Sequence, residues 1–465
     1  MDCRVIKMSV MHQQAMTYIY QQVLERLLGH FSPPQRTSLH FLIQRLLVAA
    51  GGAERVTSFT VLLAYGGGKD SSQTLALLRA AQLALAARIG VTFQIRVATQ
   101  CRPGMTASMM INIQRCFSSL ALQDDSRVQL LMVDDRYVLP FDYRRQPCEE
   151  SRERSRHEIL LNAHTQRGDV LASTHGDCYA QLASLYKLIL SGPGRVNVII
   201  VGDSPHEQLS FLRWAIRNER KAGVPRRPRR YWRSAAFLEL LDTSGPGRPC
   251  ISEHARHVKA LRRNRFAHVH FMSIHDLRAQ TSGEYWRLMT DFFRFEYHNP
   301  VFSISESGCA HPTLLAHLHG LRAEFVLDRC YDLGTDWYWR LAERLMRNKR
   351  MPVRLMERVL SRHSDPNLVQ AARRAASQHA LHAYGLTDTQ LTCSLFAPIV
   401  NRGAELKYFL QRCHPGMVIA LPYLHKVLRG HGKPEQVVRW LQDTTGLKMP
   451  VLRSLYRLQL RAHRK

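Results

Sequence analysis

The stretch Leu62-Leu63-Ala64-Tyr65-Gly66-Gly67-Gly68-Lys69-Asp70-Ser71-Ser72 decides how this chain folds. An apolar run precedes the three glycines, and a run with helical periodicity follows them. A strand that enters a helix through a glycine-rich turn gathers backbone N–H groups at the helix N-terminus, where the helix dipole favours anions. The stretch therefore predicts a phosphate-binding loop. We expect Asp70, Ser71 and Ser72 to occupy the cap and first turn of the helix.

The alternation of strand and helix continues beyond this loop. Such alternation predicts right-handed crossovers and a parallel sheet that helices cover on both faces. We therefore predict an α/β fold with a doubly wound parallel sheet of five or more strands. The predicted strands are 59–65, 91–98, 128–133, 170–174, 196–201 and 268–274, and the predicted helices between them are 71–88, 106–121, 149–164, 180–190 and 206–218.

The length and the changes in pattern predict three domains. A chain of 465 residues is too long for one ordinary core. Residues 1–55 have helical periodicity, residues 56–276 carry the strand–helix alternation, and residues 277–465 form a basic region of helices separated by Pro and Gly. Within the middle domain, the basic stretch 217–233 and the Gly/Pro-rich stretch 242–250 are typical of exposed loops.

The glycine loop differs from two common phosphate loops. Asp70 follows Lys69 at the position where a Walker A loop has the Ser or Thr that meets magnesium, and the glycine spacing does not fit G-x-G-x-x-G. The residues from Gly66 to Ser71 instead resemble the S-G-G-x-D-S signature of the PP-loop family, the N-type ATP pyrophosphatases. Gly66 replaces the first serine of that signature. The family includes tRNA thiolation enzymes, tRNA-lysidine synthetases, and GMP and asparagine synthetases.

The resemblance covers roughly residues 57–276 and implies a PP-loop type of sheet in an enzyme that splits ATP into AMP and pyrophosphate. It implies ATP and Mg²⁺ as ligands, catalytic roles for Lys69 and Asp70, and a metal-binding role for Asp70. The residues that would contact ATP or its pyrophosphate are Ala64, Tyr65, Gly66, Gly67, Gly68, Lys69, Asp70, Ser71, Ser72 and His175.

A second segment, residues 169–181, partly matches another motif of this family. PP-loop enzymes that modify tRNA bases often carry H-H-x-D-D-x-x-E-T after the fourth strand. His175 and Asp177 match it, whereas Cys178 and Gln181 replace the second Asp and the Glu. We expect this segment to follow a strand and open a helix, and the resemblance implies that Asp177 positions Mg²⁺ on the ATP phosphates. The alternative is an ordinary strand-to-helix turn with an aspartate cap.

Adenylation turns a carbonyl oxygen of a base into a good leaving group, which sulfur or nitrogen then displaces. A cysteine that carries the sulfur needs a stabilised thiolate. Cys178 and Cys101 are the candidates, because both are predicted to lie at the edge of the sheet that carries the ATP site. The alternative for each is a cysteine without a catalytic role. None of the ten cysteines forms a C-x-x-C pair, which disfavours a zinc site and the cluster-dependent thiolases. Sulfide, a persulfide-bearing sulfur carrier or a cysteine desulfurase would then supply the sulfur.

The charge of the chain points to polyanions. Lys and Arg number 65 against 37 acids, giving a net charge of +28, which favours nucleic acid or nucleotide partners. Basic residues cluster in three places that could contact RNA; the alternative is that each is an ordinary solvent-exposed basic surface. The clusters are 217–233 with Tyr231 and Trp232; Arg344, Arg347, Lys349, Arg350, Arg354 and Arg358; and Arg453, Arg457, Arg461, Arg464 and Lys465.

These observations favour an ATP-dependent sulfurtransferase that acts on tRNA or on a free purine nucleotide such as GMP, giving a 6-thioguanine-type product. Two alternatives stay open: an ATP-dependent amide or amidine ligase of specialised metabolism, and a non-catalytic RNA-binding protein with a decayed ATP site. No apolar run has the length of a membrane span, and the first residues do not have the pattern of a secretory signal. We therefore expect a cytoplasmic protein without a membrane partner.

Overall fold

The computed structural model describes residues 10–221, 268–278, 286–296, 311–348, 350–360, 369–432 and 434–460. Residues 222–233 of the basic stretch and the whole of 242–250 lie outside these ranges. The strands of the described residues form one six-stranded sheet. They are β1 (Thr60–Ala64), β2 (Gln94–Gln100), β3 (Val128–Asp134), β4 (Tyr137–Pro140), β5 (Val198–Val201) and β6 (His270–Ser273).

The order of the strands shows that the direction of winding reverses once in the sheet, between β1 and β5. The order is β4-β3-β2-β1-β5-β6, and the pairs are parallel except β3 with the edge strand β4. The chain winds from β1 through β2 to β3, and then returns to the other side of β1 to form β5. The carboxyl ends of β1 and β5 therefore flank a topological switch point, where open α/β sheets bind their ligands.

Helices account for most of the remaining described residues. In the first half they are α1 (Val10–His30), α2 (Pro33–Ala50), α3 (Lys69–Ile89), α4 (Ala107–Ser119), α5 (Glu149–Thr165), α6 (Val170–Ser191) and α7 (Pro205–Lys221). In the second half they are α8 (Pro312–Leu321), α9 (Tyr331–Asn348), α10 (Val353–Leu360), α11 (Val369–Tyr384), α12 (Asp388–Phe396), α13 (Val400–Gly403), α14 (Leu406–Cys413), α15 (Leu421–Arg429), α16 (Glu435–Thr445) and α17 (Met449–Arg457).

Both faces of the sheet are buried. Successive side chains of a strand point to opposite faces, and in β1 the side chains of Val61 and Leu63 pack with α3 and α4, whereas Leu62 packs with α6 and α7. Helices α1 and α2 lie against α3 and add a further layer. The expected doubly wound α/β sheet is thus present, with β4 as an additional antiparallel edge strand.

The strand predicted at 170–174 is wrong. These residues form the first turns of α6, which runs without a break from Val170 to Ser191. A short apolar run does not distinguish a strand from a buried helix, and here the apolar pattern simply continues into the helix predicted at 180–190. Consequently β5, and not 170–174, is the fourth parallel strand.

The helices of the second half pack onto the sheet-bearing half through α5. Gly168, with a left-handed φ of 72°, lies so close to the carbonyl of Leu395 that a Cβ there would be 1.9 Å from its oxygen. Gly446 approaches Leu160 of α5 in the same way. One hydrophobic cluster therefore extends from α1 to α17, and the domain boundaries near residues 55 and 276 stay predictions. Within the described ranges, no helix has the length and apolar character needed to cross a membrane.

Candidate functional site

The glycine loop connects β1 to α3 as the sequence predicts. Helix α3 begins at Lys69, with Gly68 as its N-cap, so Asp70 and Ser71 lie in the first turn. Gly67 has a φ of 74°, a conformation that side chains with a Cβ rarely adopt. The first N–H groups of a helix have no partner within it. The loop therefore offers these donors, together with the positive end of the helix dipole, to an anion.

Tyr65 connects the loop to α3 and to β2 through hydrogen bonds. Its side chain is buried, and its hydroxyl lies 2.8 Å from the hydroxyl of Ser72. The hydroxyls of Ser71 and Ser72 donate to the carbonyl of Gly68 at 3.0 and 2.8 Å. The backbone N–H of Tyr65 also donates to Ala98 of β2, which extends the β1–β2 pairing to the edge of the loop.

The turn after β5 lies against the same end of α3. A Cβ on Gly202 would be 2.3 Å from the Thr74 hydroxyl oxygen, so the backbone after β5 contacts α3 directly. Thr74 lies four residues beyond Asp70 and thus on the same face of the helix. Beyond Asp203, Ser204 and Glu207 exchange hydrogen bonds at the start of α7: Glu207 accepts from the N–H and hydroxyl of Ser204, and its own N–H donates to that hydroxyl.

Arg278 reaches this point from the segment after β6. Its Nη1 lies 2.7 Å from Oδ1 of Asp70, and its Nη2 donates to Nδ1 of His275 at 2.8 Å. Only 9% of the Arg278 side chain is exposed. Residues from the ends of β1, β5 and β6 thus meet at the switch point of the sheet.

The surroundings of Asp203 shift the pKa of its carboxyl group. Partial desolvation by the surrounding protein raises the pKa of Asp203 to about 6; Glu207 and Asp70 act in the same direction, whereas Arg278 opposes it. The residue still reaches solvent. A carboxylate that other carboxylates destabilise gains from a bound cation, which offsets their repulsion.

Asp177 lies elsewhere, in the body of α6. Its Oδ2 accepts from Gln181 at 2.9 Å, and burial raises the pKa of Asp177 to about 6 against the opposing influence of Gln181, Arg102 and Arg154. Its Oδ1 is buried without a hydrogen-bond partner among the residues that the structure describes. The predicted strand-to-helix turn at Asp177 is wrong, because α6 begins seven residues earlier. His175 lies in the same helix, and its side chain is outside the described part.

The two candidate cysteines differ in environment. Cys101 follows β2, is buried, and has its pKa raised to about 12 by burial and then by Asp134. Such a thiol stays protonated at neutral pH. Cys178 is half-buried, and Nη1 of Arg102 lies 3.4 Å from its sulfur. A guanidinium at that distance favours the anionic form of sulfur, so Cys178 has the more suitable surroundings for a nucleophile.

A small polar cleft opens between the ends of β2 and β3 and helices α5 and α6. It encloses about 300 Å³, including the part open to solvent. Arg154 forms an ion pair with Asp135 at its wall, and Gln181 donates to Ser155 at 2.8 Å. Because Cys101 also lines this cleft and β2 neighbours β1, the cleft shares the carboxyl edge of the sheet with the glycine loop. Its lining residues are Gln100, Cys101, Val133, Asp135, Ser151, Arg154, Ser155, Gln181 and Ser184.

The structure thus brings Asp70 together with Asp203 and Arg278, two residues that the sequence analysis did not select. The signal for Asp203 was present: the strand predicted at 196–201 is followed directly by Gly202 and Asp203. The signal for Arg278 is an isolated basic residue after β6, which the sequence alone does not distinguish from other arginines. Within the described ranges, no group of three or more His, Cys, Asp or Glu side chains has the arrangement of a metal site.

Part of the predicted basic surface is described. Arg344, Arg347, Arg350 and Arg354 are exposed on α9, α10 and the turn between them. Trp337 on α9 is 54% exposed. Acidic neighbours balance some of this charge, since Arg347 pairs with Glu343 at 2.6 Å.

Comparisons with known proteins identify no relative: no protein-family model, no curated protein and no solved structure matches this chain.

Proposed function

We propose that the protein binds ATP at the carboxyl ends of β1 and β5 and splits it into AMP and pyrophosphate to activate an acceptor, as in the PP-loop enzymes that the glycine loop resembles. One observation carries the proposal. The phosphate loop, the carboxylates of Asp70 and Asp203 and the guanidinium of Arg278 converge at the switch point of the sheet. A phosphate chain with a divalent cation needs this combination of N–H donors, carboxylates and positive charge.

The donor set fits Mg²⁺. Magnesium prefers oxygen ligands and is usually held by one or two protein carboxylates together with substrate phosphates and water. We assign the two carboxylates to Asp70 and Asp203, and we give Asp177 no metal role, because the charged groups that most affect it are Arg102 and Arg154. A bound Mg²⁺ would offset the negative charge of the leaving pyrophosphate.

The proposed reaction has two steps. First, the carbonyl oxygen of the acceptor attacks the α-phosphorus, the bond from that phosphorus to the β-phosphate bridge oxygen breaks, and pyrophosphate leaves. Hydrosulfide then attacks the activated carbon, the C–O bond to AMP breaks, and loss of a proton leaves a thiocarbonyl. When a persulfide on Cys178 supplies the sulfur, a second thiol must cleave the S–S bond and is oxidised with Cys178 to a disulfide.

The acceptor class follows from charge. With a net charge of +28 and exposed arginines on α9 and α10, we propose tRNA as the acceptor. The alternative acceptor is a free purine nucleotide such as GMP.

The products formed from ATP distinguish a tRNA-modifying enzyme from a small-molecule enzyme and from a ligase. Purified protein is incubated with ATP, Mg²⁺ and sulfide, with bulk tRNA or GMP added, and the products are separated by chromatography. We expect AMP and pyrophosphate, and tRNA-stimulated release with thiolated nucleoside after digestion. Release stimulated by GMP alone would identify a small-molecule enzyme, and AMP without sulfur incorporation would favour a ligase. ADP as the product, or no ATP cleavage, would overturn the proposal.

Two aspartate variants test the assignment. Asp70→Asn and Asp203→Asn should each lower AMP formation by at least about 100-fold, since each removes charge at the metal and phosphates. Asp124→Asn is the matched control, because Asp124 is an exposed aspartate of the same domain. Wild-type turnover in Asp70→Asn would exclude this site.

The sulfur step has its own test. Cys178→Ala should keep sulfide-dependent thiolation and lose thiolation from a persulfide donor, whereas Cys101→Ala should keep both. Full persulfide-dependent activity in both variants would exclude an internal persulfide.

A further inference from the structure

Arg278 is a buried cation with unused hydrogen-bonding capacity. A guanidinium carries five N–H donors. Nη2 of Arg278 donates to His275, and Nη1 approaches Asp70. Nε, however, is buried and has no hydrogen-bond partner within the described ranges, and Nη1 meets Asp70 at ion-pair distance without hydrogen-bond geometry. An incompletely satisfied buried guanidinium is costly unless a ligand completes its hydrogen bonds.

The partner of Arg278 has a competing role. Asp70 lies in the first turn of α3, where the proposed nucleotide site requires it for the metal. If a divalent cation bound the Asp70 carboxylate, Arg278 would lose its acidic partner but would stay beside the glycine loop. Phosphate oxygens would then be the acceptors closest in chemistry to the one that was lost, because guanidinium binds carboxylate and phosphate with the same planar fork.

We propose that Arg278 is a phosphate-binding residue of this site, which Asp70 holds in place in the nucleotide-free protein and which transfers to the phosphates when the metal engages Asp70. This inference rests on the proposed function and adds to it a basic residue from the segment after β6. Arg278 would stabilise the charge that builds up on the leaving pyrophosphate.

A neighbouring ion pair separates this role from a structural one. Arg45 of α2 holds the same segment, with its Nη2 2.5 Å and its Nη1 3.1 Å from the two oxygens of Asp276. Both side chains are largely exposed. Arg45→Gln therefore loosens the segment that carries Arg278 without removing the Arg278 charge.

The experiment compares Arg278→Gln, Arg278→Lys and Arg45→Gln with the wild type in three measurements. These are the equilibrium affinity for ATP with Mg²⁺, the affinity of the nucleotide-free protein for Mn²⁺ by electron paramagnetic resonance, and AMP formation. Circular dichroism melts check that each variant is folded. We expect Arg278→Gln to weaken ATP binding about 10- to 100-fold, as loss of charge-assisted hydrogen bonds does. It should also tighten Mn²⁺ binding, because Asp70 is released from its ion pair.

The variants have distinct expected outcomes. Arg278→Lys should restore part of the ATP affinity, and Arg45→Gln should stay within about twofold of the wild type in both binding assays. Unchanged ATP affinity in Arg278→Gln would overturn the role of Arg278 while leaving the nucleotide site standing. Equal losses in Arg278→Gln and Arg45→Gln would show that the segment, and not the guanidinium, matters. A wild-type protein that binds no ATP would overturn the proposed function and this inference with it.

Discussion

The three glycines of the glycine loop have different conformational requirements. A Cβ on Gly66 or Gly68 would meet no atom within 4 Å, and neither residue has a positive φ. Gly67, at a φ of 74°, has the left-handed conformation. Gly66 thus has space for a side chain, and no steric need explains why it is not the serine of the PP-loop signature that the sequence resembles.

Gly66→Ser should therefore fold normally and bind ATP about three- to tenfold more tightly, since one hydroxyl is added near a phosphate. Gly67→Ala should lose about 1 kcal/mol of unfolding free energy through backbone strain and bind ATP more weakly. Titration calorimetry and urea denaturation measure both effects. Weaker ATP binding in Gly66→Ser would show that the phosphates do not lie against this residue.

Replacing Asp177 by Asn should stabilise the folded protein, whereas Gly67→Ala should destabilise it. Its folded pKa, about 6, is above the ordinary value of 3.8, so the folded state binds the extra proton between these values and loses stability as the pH rises through 6. Asp177→Asn resembles the protonated acid and should add about 1–3 kcal/mol at pH 8. The gain should vanish below about pH 4, where both states are protonated.

Urea denaturation at pH 4 and pH 8 checks this pH dependence, and an equal gain at both values would contradict it. The ATP affinity of Asp177→Asn should stay within about twofold of the wild type, whereas Asp203→Asn should lose Mg²⁺-dependent binding. The reverse result would return the metal role to Asp177.

The conformation of the glycine loop was predictable because it depends on adjacent positions in the sequence. The local pattern of strand, glycines and helix is enough to predict an anion site. Asp203 and Arg278 are more than 130 residues away from the loop along the chain, and only the sheet order brings them to it. The sequence contains the alternation but not the order of the strands, so these residues emerged only with the fold.

At the scale of elements, a buried ion pair joins the first helices to the sheet. Arg79 of α3 and Asp125, before β3, lie 2.7 Å apart with side chains that are 0% and 2% exposed. Arg127 also binds Asp125, and the ring of Tyr20 from α1 covers both arginines. Burial opposes ionisation of Asp125, but Arg127 and Arg79 outweigh it and lower the pKa to about 2.

Asp125→Asn leaves a buried arginine unpaired and should cost about 3–5 kcal/mol of unfolding free energy at pH 7. Because the folded pKa is depressed, the stabilisation by Asp125 is present above its ordinary pKa of 3.8 and is lost as the pH falls toward 2. Asp328→Asn breaks the exposed pair with Arg412 and should cost less than about 1 kcal/mol. Equal losses in urea denaturation would show that the Arg79 pair contributes no more than a surface contact.

Residues 170–174 form the start of α6 and not the predicted strand because of how α6 packs. Residues 170–174 are apolar and short, and the glycine before them, Gly168, has the positive φ expected either after a helix or before a strand. No local feature of the sequence distinguishes a strand from a helix at 170–174. Packing decides, because α6 covers the face of the sheet that Leu62 presents with residues such as Ala183 and Tyr186, and residues 170–174 continue the same helix toward its N-terminus.

For the whole molecule, the sequence predicts the α/β class and the doubly wound sheet, since both follow from alternation and burial. It does not predict how the helices of the second half attach. Their contacts with α5 depend on close approaches such as Gly168 to Leu395, in which a glycine is needed for space more than 220 residues from its partner. A helical pattern specifies the buried face of a helix but not the surface that it covers.

The net charge of +28 predicts how tRNA binding depends on salt. If tRNA is the acceptor, the logarithm of its affinity should fall linearly with the logarithm of salt concentration, with a slope of about −0.7 to −0.9 for each neutralised phosphate. Replacing Arg344, Arg347, Arg350 and Arg354 together by Gln should make the slope shallower by about 2–4, because all four side chains are exposed and can reach phosphates.

Fluorescence anisotropy with labelled tRNA between 50 and 300 mM salt measures the slope. A variant lacking Arg402, Lys407, Arg429 and Arg439, which are also exposed, controls for net charge. Equal changes in both variants would mean that the charge acts diffusely rather than through α9 and α10. Loss of all tRNA affinity at 150 mM salt, with GMP-stimulated AMP release retained, would assign the protein to the small-molecule acceptor, because a tRNA enzyme must hold its substrate at that ionic strength.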